Sequence, residues 1–388
     1  MNAYYDHRRL NRMLGELVSW LQLREPEQLR QNMAAWDTAD WQTMQLAILM
    51  QGVGPYLHVT LPETAVYPQL PPFLQTWLAE QYDMNRQRLQ RMRAELAEIV
   101  QQTRQAGIPI MPLKGSILAW QYYPQPWLRP MADLDILIRP ADRQGMIAIL
   151  QRLGYCFDPG DSNEHAQHMV FKNPGAAVVS LSGEHPDNPR PVEVHWALRK
   201  GAWGDISSCD FTEQMWATAT ETAEGTWQPT VTVLAEYVAF HASYHLLFRS
   251  GRLIHLLDLA LLSGELRPFT PTYPNWMYPA LQLTARALPH LFHFDLTPLR
   301  ALTHPRVVAW ADDVPLDGRC GLSSALPPHL VPRARLHWNR WWPSVWRLRL
   351  GYYHLPLPLA YAQHFREWGV RLWHKSRTRR QPESLFRP

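Results

Sequence analysis

Asp133-Leu134-Asp135 opens an aliphatic run, Ile136-Leu137-Ile138, and Val192-Glu193-Val194 sets a second acid between β-branched neighbours. A strand alternates its side chains between faces, so Asp133 and Asp135 share one face, about 6.5–7 Å apart along the backbone, and Glu193 points away from both valines. Two like charges this close are costly without a counter-ion, and a divalent cation that prefers oxygen is the usual compensation. Mg2+, or Mn2+, is the expected metal. If the Glu193 strand lies beside the Asp strand, Asp133, Asp135 and Glu193 form a catalytic and metal-binding cage for two ions about 3.5–4 Å apart, one activating an attacking group and the other holding a triphosphate. Upstream, Lys114-Gly115-Ser116 ends a predicted strand and opens a helix, where glycine permits close backbone approach and free amides favour phosphate; Ser116 either caps that helix or bonds a phosphate oxygen. Lys114 and Arg129 place positive charge on either side of the acids, which suits a polyphosphate leaving group. Lys114, Gly115, Ser116 and Arg129 are therefore the nucleotide-binding candidates.

The elements that must position these residues follow from periodicity. Leu10, Met13, Leu14, Leu17 and Leu21 recur at helical spacing. Asp37 or Thr38 can cap a helix running to about Gly52, and Leu74 to Gln105 supplies a long helix ending before Gly107. The Pro-rich stretch from Leu61 to Pro72 reads as a linker. From Ile108 the texture changes to Ile108–Leu113 (strand), Ser116–Tyr123 (helix), Leu134–Ile138 (strand) and Arg143–Leu153 (helix). Weaker strands at Met169–Phe171 and Ala177–Leu181 follow, then Val192–Trp196. Beyond Pro229, Val231–Arg249 and Leu253–Leu262 are helical. The division expected is a helical N-terminal region over 1–106, an α/β core over 107–200, a helical accessory domain over 201–331, and a basic Trp/Arg-rich segment over 332–388.

Several runs together resemble a known family. Pro112-Leu113-Lys114-Gly115-Ser116, Tyr123-Pro124, Leu128 to Ile138, Leu153-Gly154-Tyr155, Val192-Glu193-Val194-His195-Trp196, His241, His245 and Leu253 to Ala260 look like the uncharacterised bacterial nucleotidyltransferase family of the polymerase-β-like superfamily. The resemblance covers about Ile108 to Leu262. It implies an α+β fold, a small mixed-sheet polymerase-β-like core with helical N-terminal and C-terminal regions. It also implies that Gly115-Ser116 is the turn, that Asp133 and Asp135 bind metal, and that Glu193 is a third ligand or the base. The activity implied is transfer of a nucleoside monophosphate from an NTP, ATP among them, to an acceptor, with release of pyrophosphate. The acceptor stays open between a small molecule, a peptide or protein, and an RNA. Two departures stand out: the interval between the turn and Asp133 is long, filled by Tyr122 to Arg129, and Ala132 replaces a frequent glycine. Alanine at Asp133 or Asp135 is expected to abolish turnover and spare the fold.

Other readings compete at single residues. His195 shares a face with Glu193, as a ligand, an acid-base group or a structural histidine. His241 and His245 have the four-residue spacing of a zinc pair but no glutamate beside His241, which favours packing or nucleotide contact. Arg252 and Asp258 read as ties between helices, with a phosphate also in reach of Arg252.

Composition sets the outer limits. With 46% hydrophobic residues the chain can bury a core, and 34 prolines and 18 tryptophans make many connections stiff and many contacts aromatic. A net charge of +4 over 388 residues is too small to argue for nucleic acid by itself. Cys156, Cys209 and Cys320 lack a CxxC spacing and read as buried small hydrophobes in a reducing compartment. The first residues lack a secretory-signal pattern, and no stretch approaches the roughly 20 apolar residues of a spanning helix. The expected location is the cytoplasm, with peripheral contact at the inner membrane face through Trp338 to Leu350 and Tyr361 to Lys375. Two rival functions remain: a non-catalytic nucleotide-binding or scaffold protein of a biosynthetic complex, and an RNA-modifying nucleotidyltransferase gripping its acceptor through the basic tail.

Overall fold

A computed structural model describes residues 6–23, 26–163, 168–175, 177–180, 185–200, 208–323 and 342–378. The expected tail residues Arg333, Arg335, Trp338, Arg340 and Trp341, and the side chains of the second basic cluster from Arg371 to Arg380, lie outside the described residues.

The chain begins with helices α1 (His7–Leu21), α2 (Pro26–Ala34), α3 (Thr38–Gln51) and α4 (Gly54–Thr60). Asp37 caps α3 reciprocally with Asp40, and Gly52 ends it at φ +67°, the left-handed conformation that glycine adopts without strain. The Pro-rich stretch holds two one-turn 3-10 helices and leads into α5 (Pro72–Gln105), which runs for 34 residues.

A five-stranded sheet follows. Its strands are β1 (Met111–Pro112), β2 (Leu134–Leu137), β3 (Cys156–Asn163), β4 (His168–Lys172) and β5 (Val192–His195), in spatial order β1-β2-β5-β4-β3. Only β2 and β5 are parallel; the other three pairings are antiparallel, so the sheet is mixed and the fold is α+β. Helix α6 (Gly115–Gln121) joins β1 towards β2, and α7 (Arg143–Arg152) follows β2. The strand expected at Ala177–Leu181 is absent over 177–180, and β3, which carries the non-alternating run Cys156-Phe-Asp-Pro-Gly, was not anticipated. Cys156 at its start is exposed, whereas Cys209 and Cys320 are buried as expected.

The two faces of the sheet lie against different cores. Leu134, Ile136, Ile138, Val192 and Val194 pack with Leu89, Met92, Leu96 and Ile99 of α5 and with Met146, Ile149 and Leu150 of α7. Met111, Leu113 and Leu137 join a larger core that unites α1, α3 and α4 with α9 (Val231–Leu247), α10 (Leu253–Ser263), α11 (Pro274–Ala287) and α13 (Pro305–Asp313). Between them lie the two-residue strands β6 (Arg199–Lys200) and β7 (Cys209–Asp210), the short helix α8 (Thr212–Ala217) and a small hairpin of β8 (Thr220–Glu221) and β9 (Trp227–Gln228). Helices over Val345–Gly351 and Leu357–Thr378 end the described chain. Arg347, in the Arg- and Trp-rich run, is buried with its guanidinium 5.5 Å from the Phe248 ring centre. Among the described residues no helix is long and apolar enough to cross a membrane.

Candidate active site

The parallel register of β2 and β5 pairs Asp135 with Glu193 and Leu137 with His195. Period-2 geometry then turns Asp135, Glu193 and His195 to the same face, away from the α5–α7 core. Their ligand atoms all lie within 4.8 Å of one another. His195 Nε2 is 2.8 Å from Asp135 Oδ1 and 3.7 Å from Glu193 Oε2.

Asp135 is 3% exposed and is fixed through every polar group it has. Its carbonyl accepts from Leu113 N at 2.9 Å, and its amide donates to Ser116 Oγ at 2.9 Å. Lys114 Nζ donates to its Oδ1 at 2.6 Å. Burial by itself would raise the Asp135 pKa; the Lys114 ammonium and the His195 hydrogen bond outweigh it and hold the carboxyl well below its ordinary range. Burial depresses Lys114 in turn, and Asp135, Tyr237, Asp133 and Glu193 together reverse the sign, so the ammonium stays charged. His195 is pushed down to about 4, first by burial, against the hydrogen bond it gives to the Asp135 carboxylate.

Lys114 reaches this position from a strained backbone: φ is +46° and ψ −124°, a region in which a side-chain-bearing residue costs about 1–3 kcal/mol and persists only where its surroundings hold it. The turn after it is built inward. Ser116 is 2% exposed; its Oγ accepts from the Asp135 amide and makes no capping bond to α6. The amides of Ser116 and Ile117 donate to the carbonyls of Leu113 and Lys114. A Cβ on Gly115 would sit 2.3 Å from Arg129 Nη1 and 2.7 Å from Met131 Sδ, so close side-chain packing explains this glycine. Arg129 is likewise engaged inside the protein: Nε and Nη2 donate to the two Asp258 oxygens at 2.7 and 2.8 Å, and Tyr123 OH donates to Oδ1 at 2.8 Å. Arg129 and Asp258 are 7% and 2% exposed, and their pairing ties the loop before Asp133 to α10. Of the four expected nucleotide contacts, Lys114 is the one that pairs directly with a site carboxylate.

Asp133 precedes β2 and is partly exposed. It does not join Asp135, Glu193 and His195 in the group of ligand atoms within 4.8 Å. Its pKa is raised to about 6, by burial first and the Asp135 charge second, against Lys114, Arg129 and Arg88.

Arg88 is a positioning residue without a signature in the sequence. From the middle of α5, at 1% exposure, it donates to the carbonyls of Met131 and Ala132 before β2 (2.8 and 2.7 Å) and of Asn188 and Pro189 before β5 (3.0 and 2.9 Å). One guanidinium thus fixes the entry to both acid-bearing strands.

The opposite side is formed by α9. Tyr237, His241 and His245 recur every four residues on one helix face, and Tyr237 lies close enough to Lys114, Asp135 and Glu193 to sense their charges. His255 of α10 joins the two histidines, and Lys200 of β6 stands 4.9 Å from the Tyr244 ring centre. Arg252 donates from Nε to Met50 O at 2.9 Å and so links α10 to the end of α3.

The model of an uncharacterised nucleotidyltransferase family matches residues 37–272. This is more than half of the chain and includes every acid, lysine and histidine just described, and the chain belongs to that family. No curated protein and no solved structure matches it.

Proposed function

We propose that the chain moves a nucleoside monophosphate from an NTP to an acceptor and releases pyrophosphate, on a core of the polymerase-β-like kind. The observation that carries this reading is the in-register pairing of Asp135 with Glu193, with His195 within 4.8 Å of both. Two carboxylates and one imidazole at that separation fit a divalent cation, Mg2+ or Mn2+, with the imidazole tilting the preference towards Mn2+. When bound, such a cation would neutralise phosphate charge and sharpen the electrophilicity of the α-phosphorus. The acceptor oxygen forms the new bond to that phosphorus, the bond to the bridging oxygen breaks, and pyrophosphate leaves with its electron pair. Asp133, whose proton affinity is raised to about 6, is suited to take the proton of the acceptor. Lys114 keeps Asp135 ionised throughout.

The test is incubation with each labelled NTP and Mg2+ or Mn2+, in the presence of a lysate, reading pyrophosphate and the label on any acceptor, this chain included. Label transfer by the wild type and its loss in Asp135→Asn are expected. No pyrophosphate from any NTP, or equal release by the variant, would sink the assignment and leave the scaffold reading.

Contact of the C-terminal helix with an anionic surface is a second reading, favoured by the exposure of Leu359 (56%), Phe365 (38%) and Val370 (50%) on a helix that also carries Arg366. Flotation with anionic against neutral liposomes decides it: equal failure with both ends this reading.

A further inference from the structure

The β8–β9 hairpin, α5 and α6 enclose a cavity that Asp135, Glu193 and His195 do not line. Trp227 N donates to Ile110 O at 2.8 Å, which lays β9 beside β1, and the loop of the hairpin is fastened to α5 by the Arg93–Glu224 ion pair. Gly225, at φ +84°, lets that loop close on α5: a Cβ there would sit 2.3 Å from Arg104 Cδ. The space so held is about 460 Å3, within the roughly 300–1,000 Å3 of small-molecule sites, which are largely pre-formed.

The lining sorts by chemistry. Leu96, Val100, Pro112 and Ile117 are buried and give the cavity an apolar base, while the partly exposed Trp120 and Trp227 bring large aromatic rings to it. Its polar groups are matched with one another. Arg93 pairs with Glu224, Gln121 and Gln228 form a reciprocal amide pair at 2.8 and 2.6 Å, and the Thr222 and Thr226 hydroxyls are 2.9 Å apart. The Arg93 guanidinium also lies 5.2 Å from the Trp120 ring centre.

This lining selects its occupant. A net charge brought in would find the charges already paired, and burying it without a partner is costly. A saturated hydrocarbon would suit the base and gain nothing from the amides. An uncharged flat ring with nitrogen or oxygen at its edge gains from both. Its face meets tryptophan and guanidinium planes, and its edge meets amide and hydroxyl groups that can exchange a bond to one another for a bond to the ring.

We propose that the cavity between α5, α6 and the β8–β9 hairpin binds an uncharged, flat heteroaromatic ring system with hydrogen-bonding atoms at its edge. The site is separate from the carboxylates and does not depend on the nucleotidyltransferase reading. Ser116 also lines it, so the occupant would sit against the residue whose Oγ accepts the Asp135 amide.

Ligand-observed NMR titration of the full chain with quinoline-3-carboxamide, quinoline-3-carboxylate and decahydronaphthalene-2-carboxamide tests it. The first should bind at least about tenfold more tightly than the second, which adds a charge, and the third, which lacks the flat ring. Ala97 lines the cavity from an exposed helix position, so Ala97→Trp should fill the space without disturbing the core. Ala97→Trp and Trp227→Leu should each weaken the quinoline amide at least about tenfold. No binding of that amide, equal binding of either comparison compound, or wild-type affinity in either variant overturns the inference. In case a variant misfolds, the wild type is irradiated with a diazirine derivative of the quinoline amide and the labelled peptides are read by mass spectrometry. Label within 93–100, 116–121 and 222–228 supports the site, and label confined to other peptides overturns it.

Discussion

The two faces of the β2–β5 pair are made by alternate residues of the same short segments, and they do opposite things. On one face Leu134, Ile136, Val192 and Val194, all at 0% exposure, anchor the strands against α5 and α7. On the other, Asp135, Glu193 and His195 stand in the same register, and hydrogen bonds with Lys114, His195, Ser116 and Leu113 offset the cost of burying Asp135. The apolar face holds position through surface removed from water, which is non-directional. The acidic face holds position through hydrogen bonds, each with a defined partner. A substitution on one face should therefore be felt as stability and on the other as chemistry.

The largest expected effect is on the acidic face. Asp135→Asn keeps the volume and a hydrogen-bonding oxygen but removes the charge, and pyrophosphate release should fall by at least about a thousandfold, the size of several kcal/mol of lost transition-state stabilisation. Alanine is the wrong probe at this position. Alanine removes the oxygen that Lys114 and His195 both bond, a loss of stability that would be mistaken for a catalytic effect. The idea that alanine spares the fold suits the partly exposed Asp133 better. Ile136→Ala, one residue away on the other face, should lower stability by about 2–5 kcal/mol in denaturant unfolding and leave the rate per folded molecule unchanged. A rate loss in Ile136→Ala equal to that of Asp135→Asn would erase the distinction between the faces.

The acidic face was readable because strands have a fixed period: an acid between β-branched residues has one direction to point. The same reasoning located α3, whose cap at Asp37 and stop at Gly52 are local chemistry. Residues that act over long sequence distances left no such mark. Arg88 sits mid-helix among other polar residues, and its acceptors are carbonyls 43 to 101 positions away. The packing of α1, α3 and α4 against α9, α10, α11 and α13 leaves no local mark either, and Pro279 inside α11 obscures a helix that packing tolerates. Gly115 and Arg129 were conspicuous for a sound reason, close packing and a buried ion pair, but sequence cannot separate these from phosphate contact. His195 stood out by its face, yet the bond to Asp135 that gives it a place in the site depends on the parallel register.

Arg88 sharpens the comparison because it serves both faces, anchoring the strands from the apolar side while setting the acids on the other. Arg88→Met retains most of the bulk and leaves the carbonyls of Met131, Ala132, Asn188 and Pro189 without this donor. Hydrogen bonds to a charged group contribute about 1.5–3 kcal/mol each and are not additive, so a loss of at least about 3 kcal/mol is expected. The folded fraction should also bind Mn2+ more weakly, because the entry to both acid-bearing strands loosens. Full stability, or lowered stability with unchanged Mn2+ affinity, would show that the strands hold their register without it.

The smallest effect is a pH dependence in which the two kinds of titrating group oppose each other. His195 and His245 are pushed down to about 4, with burial the first cause, and burial also lowers His241 and His255 well below the ordinary value. An imidazole with a depressed folded pKa contributes its full stability above about 6.5, the unfolded value, and loses it as pH falls towards 4, because the unfolded chain takes a proton that the fold refuses. Asp133 runs the other way: its folded pKa, raised to about 6, gives a contribution present below the unfolded value of 3.8 and lost as pH rises through 6. The four imidazoles, with His58 and His290 lowered beside them, outweigh Asp133 and the likewise raised Glu236 and leave a net loss of stability on acidification from about 6.5 to 4. Melting temperature against pH should therefore decline over that window in the wild type. The decline should flatten in a His241→Gln/His245→Gln/His255→Gln variant and steepen in Asp133→Asn, which removes the opposing contribution. A wild-type curve that is flat between pH 6.5 and 4, or a triple variant with an undiminished slope, would mean that these histidines are not held neutral by the fold.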